Sequence, residues 1–583
     1  MTELDTAGAL YAGGQYQQAL ALAAAQIPAL LNIAGAAAYA LGNKPEAEKY
    51  WRATIQVQTE NPDAHNNLGL LYAESGRLDE AEAAFRRALA IHPGHVVAYN
   101  NLGLLLARLK RPAEAETAYR QALALQPDYA DAYHNLGELL ANFGCVEEAE
   151  AIYRQLLALW PADPRAYNSL GVLCAAANRH AEAEAAYRQA LALRPDFAEA
   201  YNNWGILLMA GQRLEEAEAA FHRSIERLPT CHETHNNLGV LLKALKRYDE
   251  SEAAYRLALR LWPDYADARF NLSLLLLSLG RFSEAWPLYE ARYHPNNKNR
   301  AALQLLNFPQ WQGEPLAGKS LLVWHEQGLG DAIQFCRFIP ALKAQGAARI
   351  GLACQAPLAA LFATLPGLDA THPPEPEPGL SDYDYWTFPL SIPRHYGLAL
   401  DNIPATLPYL HVRPERMEKW QARLPPAAPR VGLVWKCHPG RNTSAERSLP
   451  GLAALAPLWA VSGIQFVSLQ KGVAEDEARE PPPGQALTHL GTDIGDFADT
   501  AAIVAQLDLV ICVDTAIAHL AGALAKPCWV LLPWHADWRW LDEREDSPWY
   551  PQIMRLFRQG RPGAWEEVVG RVAVALRQWR GEV

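Results

Sequence analysis

The feature that most constrains this chain is a period of 34 residues. Asn66-Asn67-Leu68-Gly69 returns as Asn100-Asn101-Leu102-Gly103, His134-Asn135-Leu136-Gly137, Asn168-Ser169-Leu170-Gly171, Asn202-Asn203-Trp204-Gly205 and Asn236-Asn237-Leu238-Gly239. The register extends back to Gly35 and forward to Ser273, and Pro93, Pro127, Pro161, Pro195, Pro229 and Pro263 keep the same step. A fixed period of this length marks a stack of supersecondary units, none of which can bury its apolar face alone. Within a unit, apolar residues return at three-to-four spacing on either side of a short turn near Arg111-Pro112, which predicts a helical hairpin. The small residues Gly103, Ala115 and Ala122 permit close helix approach. The aromatic series Phe85, Tyr119, Tyr153, Tyr187, Phe221, Tyr255 and Tyr289 fills the space beside them, and each Pro is expected to start the next helix. The first hairpin reads as shortened, with Pro62 three residues later than the register asks.

These units resemble the tetratricopeptide repeat across about residues 1–293. The resemblance implies an α-solenoid whose extended concave surface takes a protein segment. The second residue of each motif is Asn67, Asn101, Asn135, Ser169, Asn203, Asn237 and Asn271, and a side-chain amide can bond both the N–H and the C=O of an extended peptide. The series is similar to the asparagine ladder of the O-GlcNAc transferases, broken once at Ser169. Equally open is a role in capping or bridging adjacent helices, because Asn is a poor residue for a helix interior.

The 52 Lys and Arg against 64 Asp and Glu leave a formal charge of −12, with no overall positive field to gather nucleic acid or an anionic membrane. The eight cysteines form no C-x-x-C pair and no Cys/His set at zinc-ligand spacing, so reduced core thiols, no metal and a cytoplasmic location are expected. Met1-Thr2-Glu3-Leu4-Asp5 lacks a basic leader, and the Ala-rich stretch 19–41 is broken by Gln26, Pro28 and Asn32. Neither an export signal nor a membrane span is expected.

After Tyr293 the period stops, and residues 294–318 read as a linker. A buried strand at 320–324 leads into a glycine loop and an amphipathic run at 332–344, and the order repeats with a strand at 349–353 and a helix at 356–365. That alternation predicts a parallel sheet with right-handed crossovers, with 373–378 and 383–393 as loops. Further strands are expected at 431–435, 464–469, 507–513 and 526–532, and a final helix at 564–579 would pack back across both halves. The domains expected are a repeat superhelix at 1–293, the linker, a first Rossmann-like half at 319–412 on the acceptor side and a second at 413–583 on the donor side. Ligands would sit at the carboxyl ends of the strands.

Two segments carry a second resemblance. Gly328-Leu329-Gly330-Asp331 with Pro340 beyond it, and Asp514-Thr515-Ala516-Ile517-Ala518-His519 followed by Lys526-Pro527, resemble the GT-B glycosyltransferases over about residues 318–580, in particular the ADP-heptose lipopolysaccharide heptosyltransferases. The resemblance implies a metal-independent transferase whose only small-molecule requirement is a nucleotide-sugar donor as substrate, and it makes Asp331 the residue matching the proposed base. Asp331 also reads as a plain helix cap, and His325 and Glu326 are rival bases in the same loop. Asp514 and Thr515 precede a helix whose first N–H groups favour a phosphate, and a plain cap is the local alternative. His519 is read as a diphosphate or structural ligand.

Lys436 and Arg447, with Arg441 between them, cluster cations at a strand end, which suits a diphosphate or a solvated basic loop. Gln470 and Lys471 end the next strand, where they would reach the nucleotide base or ribose. Trp534, Trp538, Trp540, Trp549 and Tyr550 crowd one loop and receive no catalytic role. The plan as a whole is similar to the O-GlcNAc transferases: a glycosyltransferase that moves a sugar from a nucleotide donor to a hydroxyl of a protein held by the repeats. The alternatives are an envelope-glycan enzyme tethered by its repeats and an inactive repeat scaffold.

Overall fold

The structure, a computed structural model, describes residues 16–297, 306–375, 379–404, 406–426, 429–438 and 444–581. Part of the linker (298–305), the end of the 373–378 loop, and Pro439, Gly440, Arg441 and Asn442 lie outside the described residues. The chain divides into two compact units, Met1–Thr230 and Cys231–Val583, and the division falls within the repeats.

The first unit is helical throughout its described residues, running from Tyr16–Ala40 to Leu214–Arg227 as antiparallel hairpins such as Val96–Arg108 with Pro112–Leu125. The 34-residue glycine has a steric cause. A Cβ on Gly103 would stand 2.5 Å from the Tyr119 ring, and one on Gly137, Gly171 or Gly205 would stand 2.6 Å from Tyr153, Tyr187 or Phe221. Each glycine is thus the seat of the aromatic ring of its own hairpin partner, with Ala115, Ala149, Ala183 and Ala217 fully buried in the same contact.

A second period runs through the charges. Arg77, Arg111, Arg179 and Arg213 precede the second helix of their hairpins, and each pairs with a Glu three residues on and with a Glu of the preceding repeat: Glu48, Glu82, Glu150 and Glu184. Where Cys145 replaces the Arg, the rung is missing.

The prolines behave differently from the sequence expectation. Pro93, Pro127, Pro161 and Pro195 stand in the turn after one helix ends, and the next helix begins three residues later, at Val96, Ala130, Pro164 and Ala198. They stop helices rather than start them, as a residue without an N–H does just beyond a C-terminus. Pro62, by contrast, is the first residue of Pro62–Glu74 behind an Asn61 cap, so it belongs to another series and leaves the register intact. The first hairpin is not short either, since its helix Tyr16–Ala40 spans 25 residues. No helix among the described residues is long and apolar enough to cross a membrane.

The second unit opens with two more hairpins, His232–Ala244 with Tyr248–Leu261 and Ala266–Ser278 with Phe282–Tyr289. It continues into β1 (Ser320–Val323), β2 (Arg349–Ala353), β3 (Ala370–His372) and β4 (Tyr385–Thr387), a parallel sheet in the order β3-β2-β1-β4. β5 (Arg430–Val434), β6 (Gln465–Ser468), β7 (Thr488–His489), β8 (Leu509–Val513), β9 (Cys528–Leu532) and β10 (Met554–Arg558) form a second parallel sheet, ordered β10-β9-β8-β5-β6-β7. Counted from its own first strand this is 6-5-4-1-2-3, the doubly wound order.

β3, β4, β7 and β10 were not expected; the segment read as a loop at 383–393 contains β4. The run expected as one helix at 332–344 is two, Leu329–Phe335 and Phe338–Ala344. The last helix, Trp565–Arg580, packs on the second sheet, with Val568, Val572 and Leu576 in one buried cluster with Leu452, Leu455 and Val431. All eight cysteines are free.

The repeats of this unit share its core. Phe282 and Trp286 of the last hairpin lie in one apolar cluster with Phe335, Phe338, Trp538 and Trp549. Trp286 meets Trp538 edge to face at 5.6 Å, and Phe282 lies 5.5 Å from Trp549. Beside this seam Arg292 is buried between the rings of Tyr289 and Tyr293, bonding Glu326 at 2.8 Å, Glu290 at 2.7 Å and Ser391 at 2.8 Å.

Gly205→Ala is expected to lower stability by about 1–3 kcal/mol through overpacking against Phe221, and adding Phe221→Leu should recover part of the loss. Urea denaturation of the single and double variants checks this; a Gly205→Ala chain as stable as the parent would remove the steric account of the glycine period.

Candidate functional site

In a parallel α/β sheet the crevice opens where neighbouring strands send their crossovers to opposite faces. In the second sheet that point lies between β5 and β8, whose carboxyl ends lead to Lys436 and Asp514; in the first it lies between β1 and β4, and β1 leads to His325, Glu326 and the glycine loop. The helices that follow, Leu329–Phe335 and Ala516–Ala523, meet at their first turns. A Cβ on Gly330 would stand 3.1 Å from the His519 ring and 3.4 Å from the Ala516 Cα. The two segments singled out by sequence are therefore in contact, and a side chain at Gly330 would crowd that approach.

Asp331 occupies the third position of its helix, not the cap. The cap is Gly328, whose N–H donates to Asp331 Oδ2 at 3.0 Å. The other oxygen, Oδ1, accepts from Arg539 Nη2. Arg539 is buried and also donates to Gln334 Oε1 at 2.9 Å and Asp537 Oδ1 at 2.8 Å. Burial pushes the Asp331 carboxyl above its usual range, with Arg539 opposing. Burial also raises Asp514, helped by nearby Asp537 and opposed by Arg447, whose Nη1 lies 3.5 Å from Asp514 Oδ2.

Thr515 stands at the cap position of Ala516–Ala523 but makes no side-chain cap bond, and its buried Oγ1 has no hydrogen-bond partner among the described residues. The Arg447 Nε is buried and unpartnered in the same sense. Buried polar atoms of folded proteins are as a rule hydrogen-bonded. His519 is buried, stacks on Trp540 at 5.2 Å and accepts or donates at 3.0 Å with the Tyr550 hydroxyl. Burial, then the charge of Arg539, pushes its pKa down to about 3, so it is a neutral imidazole.

The other expected donor residues do not join this group. Gln470 is buried; its Oε1 accepts from the N–H of Trp435 and Lys436, and its Nε2 donates to Lys436 O and Val473 O. Lys471 Nζ bonds Gly491 O at 2.9 Å and Ile494 O at 2.7 Å, and Lys436 Nζ bonds Pro450 O at 2.7 Å. Of the rival bases, Glu326 is held by Arg292, while burial lowers the pKa of His325. Sequence reasoning missed Arg539, Gln334 and Asp537, and only the density of charge and aromatic residues at 534–542 pointed to them.

In the repeats the ladder asparagines bond one another. Asn67 Nδ2 donates to Asn32 Oδ1 at 3.2 Å, Asn101 to Asn66 at 3.0 Å, Asn135 to Asn100 at 2.8 Å, Asn203 to Asn168 at 3.1 Å and, in the second unit, Asn271 to Asn236 at 2.9 Å. Each rung joins the second Asn of one motif to the first Asn of the motif before. The break at Ser169 is matched at its partner position by His134, which bonds Asp163 at 2.8 Å instead. Asn237 is bonded as well, accepting from Asn236 at 3.4 Å.

Models of the tetratricopeptide repeat match residues 61–128, 128–196, 175–236 and 230–293. Residues 61–293 are tetratricopeptide repeats. The chain is 32% identical over 317 residues to protein FlbA of Caulobacter vibrioides, a stretch that is 50% of this chain and 52% of FlbA. It thus spans about half the length of that curated relative. Among solved structures, a tetratricopeptide-repeat protein from Parabacteroides merdae covers 43% of this chain and 99% of its own at 18% identity and a TM-score of 0.38. Pseudomonas aeruginosa pilF covers 35% of this chain and 92% of its own at 23% identity and a TM-score of 0.31.

His519 supplies a pH signature. Its folded pKa is depressed from 6.5, so the unfolded chain takes up the proton first; the stability it contributes is whole above about pH 6.5 and is lost as pH falls toward about 3. Asp331 and Asp514, raised by burial, act with the opposite sign. The melting-temperature gap between the parent and His519→Gln should therefore shrink from about pH 7 to about pH 4. A gap that does not vary with pH would mean that His519 is not buried as a neutral ring.

Proposed function

We propose that the second unit transfers a sugar from a nucleotide donor to a hydroxyl of a protein segment presented by the tetratricopeptide repeats. The observation that carries this reading is the meeting of the two switch-point segments, with Gly330 against Ala516 and His519 and with Asp331 on Arg539. The doubly wound order of the second sheet, and the Thr515 Oγ1 and Arg447 Nε at its switch point, which have no hydrogen-bond partner among the described residues, support a phosphate-bearing ligand there. Arg447 and the first N–H groups of Ala516–Ala523 would take the leaving diphosphate, and neutral His519 would pack the floor of the site. Asp331, raised by its burial, has the direction of shift that a base for the acceptor hydroxyl needs. The GT-B plan and the likeness to heptosyltransferases belong to this proposal, as does the nucleotide sugar.

A second reading, a binding scaffold without turnover, is favoured by one observation: both oxygens of Asp331 already have partners. Activity separates the two. Incubation with a panel of nucleotide sugars and candidate acceptor proteins, read by intact mass, should show sugar addition that Asp331→Asn lowers by about 100-fold or more with donor affinity little changed. A nucleoside diphosphate should raise the melting temperature of the parent and do so much less for Arg447→Ala. Full turnover by Asp331→Asn would return that residue to positioning the glycine loop, and no turnover with any donor would leave the scaffold.

The ladder makes its own prediction. Asn101 is already a rung between repeats, so Asn101→Ala should cost about 1 kcal/mol of stability whether or not a segment binds. Replacing Asn135, Asn203 and Asn271 together should raise the KM for the acceptor protein while donor hydrolysis stays unchanged. An unchanged KM in a folded triple variant would confine these residues to holding the repeats together.

A further inference from the structure

We infer that the pocket between the turn joining His232–Ala244 to Tyr248–Leu261 and the segment 534–542 is a binding site for a phosphoryl group, held by the ammonium of Lys243. The pocket has a volume of about 240 Å³ and takes its walls from Lys243, Lys246 and Tyr248 on the repeat side and from Trp534, His535 and Asp542 on the other. It involves none of the donor residues named above and does not depend on the reaction proposed for them.

The charges in the pocket are unevenly matched. Asp542 is taken up: the Tyr248 hydroxyl donates to its Oδ2, and Lys246 Nζ stands 4.0 Å from its Oδ1 while lying 3.8 Å above the Trp534 ring. Lys243, half-buried at the last turn of its helix, has no hydrogen bond or ion pair among the described residues. Its burial pushes its pKa down to about 8 against the pull of Asp542 and Asp537, with Lys246, Tyr248 and His535 the other titratable groups lining the pocket. A cation withdrawn from water without a direct ion pair is costly, and an anion entering the pocket offsets that cost.

The form of the site suits a phosphoryl anion. An ammonium is a point charge with three donors that can meet phosphate oxygens, and two of them, Lys243 and Lys246, line this pocket. The volume is below the roughly 300–1,000 Å³ of sites that enclose a drug-sized ligand. It accommodates a phosphate, alone or on one sugar ring, rather than a whole nucleotide sugar.

Calorimetric titration of the full chain with inorganic phosphate, a sugar 1-phosphate, a nucleoside diphosphate and acetate tests the inference. Inorganic phosphate should bind, Lys243→Met should weaken it by about tenfold or more, and Lys243→Arg should retain most of it. Tighter binding of the sugar phosphate would identify an esterified ligand, and equal binding would identify free phosphate. Arg447→Ala should weaken the nucleoside diphosphate without altering phosphate at this pocket, which separates failure here from failure of the proposed donor site. In the parent protein, phosphate should also slow reductive methylation of Lys243, read by peptide mass, a measurement that needs no variant to fold. Undiminished phosphate binding in Lys243→Met, acetate binding as tight as phosphate, or an unchanged methylation rate would each overturn the assignment.

Discussion

Buried at the meeting of two switch points, the Arg539 guanidinium donates to Asp331, Gln334 and Asp537 at once. Asp331 and Gln334 belong to the helix after the first sheet's β1, and Arg539 itself lies beyond β9 of the second sheet. One cation therefore ties the glycine loop of one sheet to the far end of the other. The ring of Trp540, next in sequence, covers His519. Removing such a partner from a buried network costs about 3–5 kcal/mol, because the remaining carboxylates are left without compensation. The same segment reaches the repeats, through Trp538 on Trp286 and Asp542 on Tyr248. The geometry of the site and the attachment of the last hairpins are thus properties of a single stretch of chain.

Local rules made part of this legible and left the rest hidden. The 34-residue glycine and the aromatic residue 16 positions later were visible as partners because a helical hairpin brings that spacing together, as with Gly103 and Tyr119. β1, β2, β5, β6, β8 and β9 were visible because buried parallel strands read as unbroken apolar runs. β3, β4 and β7 are two or three residues long, too short to show a pattern. β10, Met554–Arg558, carries two arginines among its five residues and lies at the sheet edge, so it lacks the signal of a central strand.

The site was half legible for a related reason. Asp331, Asp514, Thr515 and His519 sit at strand-to-helix turns, where position along the chain already implies position in the crevice. Gln470 and Lys471 sit at such a turn as well, yet they serve the backbone around it. Nothing in the spacing distinguishes a side chain aimed at a ligand from one aimed at a neighbouring carbonyl. The asparagines teach the same lesson from the other side. A rung needs the second Asn of one motif and the first Asn of the motif before, so the buried Asn66, Asn100, Asn168 and Asn236 are as much part of the ladder as the series first noticed.

The helix-stopping prolines have a consequence for how such a chain can change. Since Pro93 and its counterparts end one helix before the next begins, each hairpin seats its own aromatic ring on its own glycine and meets its neighbours through amide rungs and Arg–Glu pairs, except where Ser169 and Cys145 interrupt them. Whole multiples of 34 residues can be added to or removed from the first unit, and each new junction will be made of contacts the array already uses. The hairpins of the second unit lack that freedom, because Phe282, Trp286 and Arg292 are committed to the sheets. Gene duplication can set the reach of this protein by editing its early repeats, with the last ones kept in place as the fixed end of the ruler.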